Sequence, residues 1–200
     1  MTLRWINHCW RMPASIFFVL GLFGCAALPP AAVAPVASQA PRVFDLAGRI
    51  AVKYRDQSSS GSLRWRHRPD QDDITLLSPL GQTVTQITRG ADGVTLIDQA
   101  HKIHRAADTE TLTQELLGWR LPLSGLGYWV VGQPAPSLPY QAERDAQQRP
   151  TQLVQDGWRV NYSTWQTVDG QGLPRTMTLQ RDDLEIRLVM DQWTLKAGAQ

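Results

Sequence analysis

Apolar and polar residues alternate with a period of two through most of the chain, and this alternation limits the fold more than any other feature. It is clearest in Phe44–Tyr54 and in Leu184–Met190, and it recurs around Trp65. Successive side chains of a strand point to opposite faces, so the pattern indicates strands with one buried face. Asp156-Gly157 between two such runs is a strong hairpin signal. The sequence predicts a mostly β (α+β) domain whose antiparallel sheet curls into a barrel or a sandwich.

Two segments in the middle of the chain break this alternation and have helical spacing instead. In Asp108–Leu117 the first residue is a candidate N-cap, and Gly118 is a stop signal. In Pro122–Val131 the proline suits the first turn, and Gly132 ends the pattern. We therefore predict two short helices inserted between groups of strands.

Residues 1–24 are typical of a cleavable signal peptide. Arg4 and Arg11 precede an apolar run from Ala14 to Phe23, which ends at Gly24-Cys25. That run is about ten residues long, whereas a membrane-spanning helix needs about twenty. The short apolar region and the small residue at its end favour export followed by cleavage.

Cys25 is the predicted site of lipid attachment. Residues 22–25 resemble a lipobox, with Phe23 where a small or β-branched residue is usual. Cys9 would leave with the signal, so Cys25 would have no disulfide partner, and lipidation explains an unpaired cysteine in an exported protein. The alternative is a signal cut further along, with Cys25 an ordinary small residue. Ala26 after the cysteine predicts transport to the outer membrane, by resemblance to the enterobacterial sorting rule.

The segment between the signal and the alternating region has a different composition. Ala and Pro dominate residues 26–41, so this segment cannot bury enough apolar surface to fold. We predict that residues 25–42 form a lipidated N-terminus and tether, and that residues 43–196 form one folded domain. The net charge of +2 falls to near neutrality without Arg4 and Arg11, so nothing indicates binding to nucleic acid.

The chemistry of the remaining residues argues against an enzyme. There is no Gly-x-Ser-x-Gly elbow, no phosphate-binding loop and no cysteine free for nucleophilic catalysis. His101 and His104 form a lone His-x-x-His pair, which is a weak metal signal and is interpreted as solvated loop histidines. We predict neither a metal site nor a cofactor. Paired acids at probable strand edges are interpreted as turn residues: Asp72-Asp73 and Asp182-Asp183.

Tryptophan is abundant in the folded region and has two possible roles. The six side chains could fill a core or line an apolar cavity. Composition alone favours the core, whereas a curled sheet with a helical insert favours a lipid-sized pocket under a lid. The tryptophans are Trp65, Trp119, Trp129, Trp158, Trp165 and Trp193.

Two surface features also have two possible interpretations each. Ser78–Gln82 is a turn with Leu80 at its tip. Leu80 either folds back onto the core or projects toward a bilayer or a partner, and position alone does not decide between them. Arg64, Arg66 and Arg68 share one strand face. That face is either solvated or attractive to acidic headgroups or an acidic partner.

Several segments, taken in order, resemble the LolB family of outer-membrane lipoprotein receptors. They span roughly residues 44 to 195, behind the lipobox. The segments are Gly48–Val52, Gly61–Trp65, Ser78–Thr83, Leu117-Gly118 with Leu121–Leu123, Tyr128–Gly132, Gly157–Tyr162 and Ile186–Trp193.

The resemblance implies a fold and a site. The fold is an open, incomplete antiparallel β-barrel with a short helical lid over an apolar cavity. Leu80 matches a leucine in a projecting loop that the family uses for membrane insertion. Family members can carry a helix before the first strand, but Ala and Pro fill that region here. We expect the cavity to hold acyl chains and to be lined by Ile50, Val52, Leu63, Trp65, Leu76, Leu96, Leu112, Leu116, Leu126, Trp129 and Leu188.

The resemblance also implies a function. The family takes lipoproteins from the soluble periplasmic carrier LolA and inserts them into the inner leaflet of the outer membrane, without nucleotide or metal. The implied partners are LolA, the acyl chains of client lipoproteins and outer-membrane lipids. We expect a monomer that faces the periplasm and is anchored through Cys25. The alternatives are a lipid-binding envelope-stress sensor on a similar open barrel and a lipid-modifying hydrolase.

Overall fold

The alternating sequence forms a single antiparallel sheet in the computed structural model, which describes residues 43–196. Six strands precede two helices and five strands follow them. The order is β1 (Phe44–Tyr54), β2 (Gln57–His67), β3 (Asp72–Leu77), β4 (Thr83–Gly90), β5 (Gly93–Ile97), β6 (Ile103–Ala106), α1 (Thr109–Leu117), α2 (Leu123–Trp129), β7 (Tyr140–Arg144), β8 (Pro150–Gln155), β9 (Trp158–Val168), β10 (Gln171–Arg181) and β11 (Leu184–Leu195). The predicted signal, Cys25 and the tether lie outside the described residues.

The sheet is open. Its eleven strands run in the order β6-β5-β4-β3-β2-β1-β11-β10-β9-β8-β7, so β6 and β7 are the two edges and do not pair with each other. The first and last strands of the described region, β1 and β11, are neighbours in the middle of the sheet, with Phe44 opposite Leu195 and Tyr54 opposite Leu184. The prediction of an open, mostly β fold with a short helical insert is confirmed.

Gly48 allows the two central strands to approach at a β-bulge. The register between β1 and β11 shifts between Ala47 and Gly48. A Cβ at Gly48 would collide with the carbonyl oxygen of Val189. A larger residue would force these strands apart where the sheet bends, since bulges increase local twist.

The predicted hairpin and both predicted helices are present. Asp156 and Gly157 have φ angles of 50° and 74° and join β8 to β9, as a two-residue turn requires. Helix α1 begins after Asp108, whose side chain accepts a hydrogen bond from the Thr111 N–H. It ends at Gly118, which has a left-handed conformation. Helix α2 ends at Trp129, two residues before the predicted end.

Some strands were not predicted because their alternation is weak. Strand β4 carries Thr and Gln at many positions, and β7 is exposed at nearly every residue. Strand β10 contains Pro174, which argues against an inner strand. The structure accommodates this proline because the register with β9 shifts between Pro174 and Thr176.

Packed side chains fill the space over the inner face of the sheet at β8 to β10. Beneath α2, large side chains of the helix and of β8 to β10 pack together without exposure. The ring centroids of Trp129 and Trp158 are 6.4 Å apart. The buried members of this cluster include Trp129, Leu153, Trp158, Val160, Met177 and Leu179.

Candidate functional site

A cavity of about 530 Å³ lies between the concave face of the sheet and the helices. Its volume is in the range of small-molecule and cofactor sites. Apolar side chains from β1 to β5, β11 and both helices form most of its wall. The lining residues are Ile50, Val52, Gln57, Ser59, Leu63, Trp65, Ile74, Leu76, Val84, Thr85, Ile87, Leu96, Asp98, His104, Thr113, Leu116, Leu117, Trp119, Leu121, Leu126, Ile186 and Leu188.

The structure brings most of the predicted cavity residues together. Those that line the space are Ile50, Val52, Leu63, Trp65, Leu76, Leu96, Leu116, Leu126 and Leu188. Leu112 and Trp129 do not line it. Both are buried in the core instead. Helical spacing predicted that both face inward, but spacing does not show whether an inward side chain meets packed neighbours or the cavity.

Several lining residues were not predicted. Val84 and Ile87 lie on β4, whose many polar residues obscure the alternation that would identify its inward side chains. Ile186 belongs to a run whose alternation was recognised, so its inward orientation could have been inferred. The polar lining residues, above all Asp98 and His104, had no sequence signal, because a polar side chain at an inward position looks like a turn residue.

The tryptophans divide between the two roles considered for them. Trp65 and Trp119 line the cavity. Trp129 and Trp158 are buried in the packed cluster, and Trp165 and Trp193 are partly buried against the core. The number of tryptophans alone could not make this division, because it depends on which side of the concave face each strand occupies.

The mouth of the cavity exposes apolar surface at the C-terminal end of α1. Leu116 is 38% exposed and Leu117 is 48% exposed, although both also line the cavity. Two hydrogen bonds tie this helix to the segment that follows. The Ser124 hydroxyl donates to Glu110 over 2.8 Å, and the Leu121 N–H donates to Thr113 Oγ1 over 2.9 Å. Apolar groups at a cavity entrance offer an apolar ligand continuous contact from the surface to the interior.

Helix α2 is held by buried hydrogen bonds at its C-terminal end. The Trp129 indole N–H donates to Gln155 Oε1 over 2.8 Å, and the Tyr162 hydroxyl donates to the Trp129 carbonyl over 3.0 Å. The Gln155 amide also bonds the N–H and carbonyl of Ala135 and the carbonyl of Leu138. Burial raises the pKa of Tyr162, so this hydroxyl stays a donor.

Asp72 is a buried carboxylate, which corrects its interpretation as a turn residue. It is 1% exposed. One oxygen accepts from Trp65 Nε1 at 2.8 Å and from His67 Nδ1 at 2.6 Å, and the other accepts from Arg89 Nε at 2.6 Å. Burial acts to raise the pKa of Asp72, but hydrogen bonds, first from His67 and then from Trp65, hold it below its usual value. Three donors from two strands, β2 and β4, hold this carboxylate, so removing its charge would leave buried polar groups without their partner.

Asp73 and the second acidic pair fit the turn interpretation better. Asp73 is partly exposed and lies 3.9 Å from Arg66. Asp182 and Asp183 form the turn between β10 and β11, where Asp182 has a φ of 51°. The sequence could not separate Asp72 from these residues, since its donors come from elsewhere in the sheet.

His67 lies between this carboxylate and helix α2. Its Nε2 is buried and has no hydrogen-bond partner among the described residues. A Cβ on Gly127 would lie 3.0 Å from the His67 ring. The ring also stacks on Phe44, with centroids 4.7 Å apart. Glycine at position 127 therefore lets the helix backbone rest directly on the imidazole.

His104 is not a solvated loop histidine, as the sequence had suggested. It lies on β6 opposite Leu96, and its Nε2 is 2.9 Å from Asp98 Oδ2. His101 is exposed in the preceding turn with a φ of 61°, so the two imidazoles do not converge. Among residues 43–196, no group of three or more His, Cys, Asp or Glu side chains is placed to hold a metal ion.

The three arginines do not form one free cationic face. Arg68 lies beyond the end of β2 and bonds the Phe44 carbonyl and Asp45 Oδ1. Arg66 lies 4.0 Å from Asp45. Arg64 is exposed on the outer surface. Acidic neighbours thus offset much of this charge.

Leu80 projects from the protein on a tight turn between β3 and β4. It is 88% exposed, so it does not fold back onto the core. The Ser78 N–H donates to the Gln82 carbonyl over 2.8 Å, and the Gly81 N–H donates to the Ser78 carbonyl over 2.9 Å. Gly81 has a φ of 80°. The turn therefore presents the Leu80 side chain to solvent.

Comparison with known proteins identifies relatives over nearly the whole described region. The family model of the outer-membrane lipoprotein LolB matches residues 42–193. The LolB protein of Nitrosomonas europaea is 38% identical, with 88% of each chain covered. That of Thiobacillus denitrificans is 37% identical, with 90% of this chain and 94% of the relative covered.

Solved structures with the same fold are much more distant in sequence. A LolA superfamily protein from Nitrosomonas europaea has a TM-score of 0.50 at 9% identity, over 80% of this chain and 89% of its own. A lipoprotein-sorting protein domain from Vibrio parahaemolyticus also has a TM-score of 0.50, at 12% identity, over 82% and 89%. Neither α1 nor α2 is long and apolar enough to cross a bilayer.

Proposed function

The chain belongs to the LolB family of outer-membrane lipoproteins, and from that premise we propose that it accepts lipoproteins from LolA and inserts them into the inner leaflet of the outer membrane. Membership of a family of lipoprotein-sorting proteins supports this proposal. Acceptance from the carrier and insertion into the bilayer are the two steps of the proposal.

The apolar cavity carries the proposal. A lipoprotein's acyl chains cost about 0.8 kcal/mol per methylene when exposed to water, so transfer needs a dry site. The space of about 530 Å³ is lined mainly by leucine, isoleucine and valine and opens beside Leu116 and Leu117. Transfer runs in one direction without nucleotide if this protein binds the acyl chains more tightly than LolA does. The bilayer must in turn bind them more tightly than this protein.

Leu80 is the proposed membrane-insertion residue. It is the most exposed large apolar side chain of the described region, and its turn is closed by backbone hydrogen bonds. A leucine presented in this way can enter the interfacial region of a bilayer without ordering the loop first. Its role is in delivery and not in holding the acyl chains, because it does not line the cavity.

The proposed anchor is separate from the proposed activity. Lipid on Cys25 and a tether over residues 26–42 would hold the domain, residues 43–196, at the periplasmic side of the outer membrane. Cys25→Ala in the full chain is expected to release the protein from membranes and to leave acyl binding intact. Membrane fractionation together with binding of a hydrophobic fluorescent dye measures both effects.

The decisive experiment is transfer from LolA to liposomes. LolA loaded with a lipoprotein is mixed with the protein and with liposomes, and the lipoprotein is followed through each fraction. Leu80→Glu is expected to accept the lipoprotein at the normal rate and to deliver it at least about tenfold more slowly, because a carboxylate resists burial in lipid. Leu138→Glu, at another exposed leucine, is the matched control. Failure of the wild-type protein to accept any lipoprotein would overturn the proposal.

A further inference from the structure

One pair of ionisable residues lies in the mostly apolar wall of the cavity. Asp98 and His104 are the only ionisable residues in its lining. His104 lies on β6 directly opposite Leu96, an inward position where the alternation of the strand calls for an apolar residue. The side chains of His104 and Asp98 are 16% and 35% exposed, so the pair lies at the rim of the cavity.

The turn around Asp98 fixes the carboxylate. Its Oδ1 accepts from the backbone N–H groups of Ala100 and Lys102, at 2.9 and 3.0 Å, and Oδ2 faces His104 Nε2 at 2.9 Å. The His104 hydrogen bond, followed by the backbone donors, lowers the pKa of Asp98. The carboxylate is therefore ionised at neutral pH and can only accept hydrogen bonds.

This arrangement determines which ring nitrogen of His104 carries the proton. A carboxylate acceptor requires a proton on Nε2, so the neutral ring has a lone pair on Nδ1. Among the described residues the side-chain hydrogen bond of His104 is that of Nε2 with Asp98, which leaves Nδ1 an acceptor without a donor. The cavity rim thus has one hydrogen-bonding position of defined polarity beside the space proposed for acyl chains.

We infer that His104, oriented by Asp98, forms a polar subsite that accepts the N–H of an amide directly attached to an acyl chain. This inference rests on the proposed function of the cavity. An N-acylated cysteine has such an N–H at the junction between chain and polar end. A glycerophospholipid has only ester oxygens at that junction, and these would face the lone pair without a hydrogen bond.

The subsite would make the cavity select lipoprotein-like lipids over phospholipids. A site built for a hydrogen bond discriminates against an isostere that cannot make it, because the buried polar group is left unpaired. An outer-membrane receptor is surrounded by phospholipids, so an apolar cavity alone would be occupied by the wrong acyl chains. Selection by one N–H needs no change in cavity shape.

The test compares two probes that differ by one group. N-decanoylglycine methyl ester has the amide N–H, and its analogue has an ester oxygen in that place. Each displaces a hydrophobic fluorescent dye from the full chain carrying Cys25→Ala, without detergent and at mildly alkaline pH. We expect the amide to bind about three- to tenfold more tightly, the range of one net hydrogen bond.

Asp98→Asn reverses the polarity of the subsite with little change in shape. The asparagine oxygen can still accept from Ala100 and Lys102, while its NH₂ donates to His104 Nε2 and moves the ring proton to Nδ1. The preference for the amide should then disappear or reverse in favour of the ester. His104→Phe should remove the preference while both probes still bind. His101→Asn, in the same turn but outside the cavity lining, should keep it.

The outcomes separate the two proposals. Equal binding of the two probes by the wild-type residues, or an amide preference that survives Asp98→Asn, overturns the subsite and leaves acyl binding intact. Displacement of the dye by neither probe overturns the acyl-binding cavity itself, and the subsite with it. Thermal unfolding of each variant shows that the domain remains folded.

Discussion

The two helices cover the same concave sheet but are attached in different ways. Helix α2 rests on the His67 ring, and its last residue is held by Gln155 and Tyr162. Helix α1 packs mainly on β6, an edge strand, and on its neighbour β5; two hydrogen bonds join it to the segment that follows, and it exposes two leucines at its end. The space under the C-terminal end of α2, at Trp129, is filled by side chains, whereas the cavity lies beside α1 and meets α2 at Leu126.

This difference shows where the lid can open. A helix with buried hydrogen bonds and a filled space beneath it cannot move without creating an empty volume, which costs free energy in proportion to that volume. Moving a helix that packs on an edge hairpin above a cavity breaks fewer packing contacts and therefore costs less free energy. We therefore expect α2 to be the fixed part of the lid and α1 the part that lets a ligand enter.

The largest effect is expected beneath the fixed helix. Asp72→Asn removes the charge that pairs with Arg89 and disturbs the donors from Trp65 and His67. Breaking a buried ion pair costs about 3 to 5 kcal/mol, so the free energy of unfolding in urea should fall by about 3 kcal/mol. Asp73→Asn, at the neighbouring partly exposed acid, should change it by less than about 1 kcal/mol. Equal losses in the two variants would contradict the role given to Asp72.

The low pKa of Asp72 makes the stability of the fold depend on pH. Its pKa is lower in the folded protein than the ordinary value of about 3.9 in an unfolded chain. Its contribution is therefore fully present above that value and is lost as the pH falls through the folded pKa. Unfolding followed from pH 6 to pH 2 should show a decline below about pH 4. A decline of the same steepness in Asp72→Asn would assign it to other carboxylates.

A smaller loss of stability is expected at Gln155, which holds the C-terminal end of α2. Gln155→Leu leaves the Trp129 indole and both polar groups of Ala135 without their partner. Unpaired buried groups cost about 1 to 3 kcal/mol each, and partial relaxation should limit the total to about 2 to 3 kcal/mol. Gln152→Leu, on the same strand with one bond to Asn161, is the control in urea unfolding. If both variants lose the same amount, α2 is not clamped as described.

A loss of about 1 kcal/mol is expected at the start of α1. Asp108→Ala removes the cap on the Thr111 N–H, and N-cap replacements cost about that much. Hydrogen exchange should become faster at the amides of α1 and remain unchanged in α2. Glu115→Ala, at an exposed position of the same helix, should leave exchange nearly unchanged. Faster exchange in both helices would mean that they move as one lid.

The smallest effect on stability is expected at the cavity mouth. Leu116→Gln alters a side chain that is already partly exposed, so the free energy of unfolding should change by less than about 0.5 kcal/mol. Hydrophobic dye binding should nevertheless weaken, because an apolar part of the entrance becomes polar. Leu138→Gln, away from the cavity lining, should not affect dye binding. Unchanged binding in Leu116→Gln would place the entrance elsewhere.

Sequence reasoning reached the fold where local signals agree with the final structure. The alternation in Phe44–Tyr54 and the cap at Asp108 act within one strand or one helix, so they could be recognised directly. The burial of Asp72 could not, because its donors Trp65 and Arg89 come from other strands. Helical spacing placed Trp129 on an inward face, but whether that face meets a cavity or a core depends on the packing of distant strands.

The pairing of β1 with β11 has a consequence for the order of events during folding. Phe44 and Leu195 are neighbours in the sheet although nearly the whole domain separates them in the chain. Contacts between distant residues slow folding, because a long loop must close before they form. The centre of the sheet therefore cannot be completed until the last strand is available. We expect the sheet to remain incompletely folded while β11 is still being synthesised or translocated across a membrane. Folding should finish only after β11 has been released.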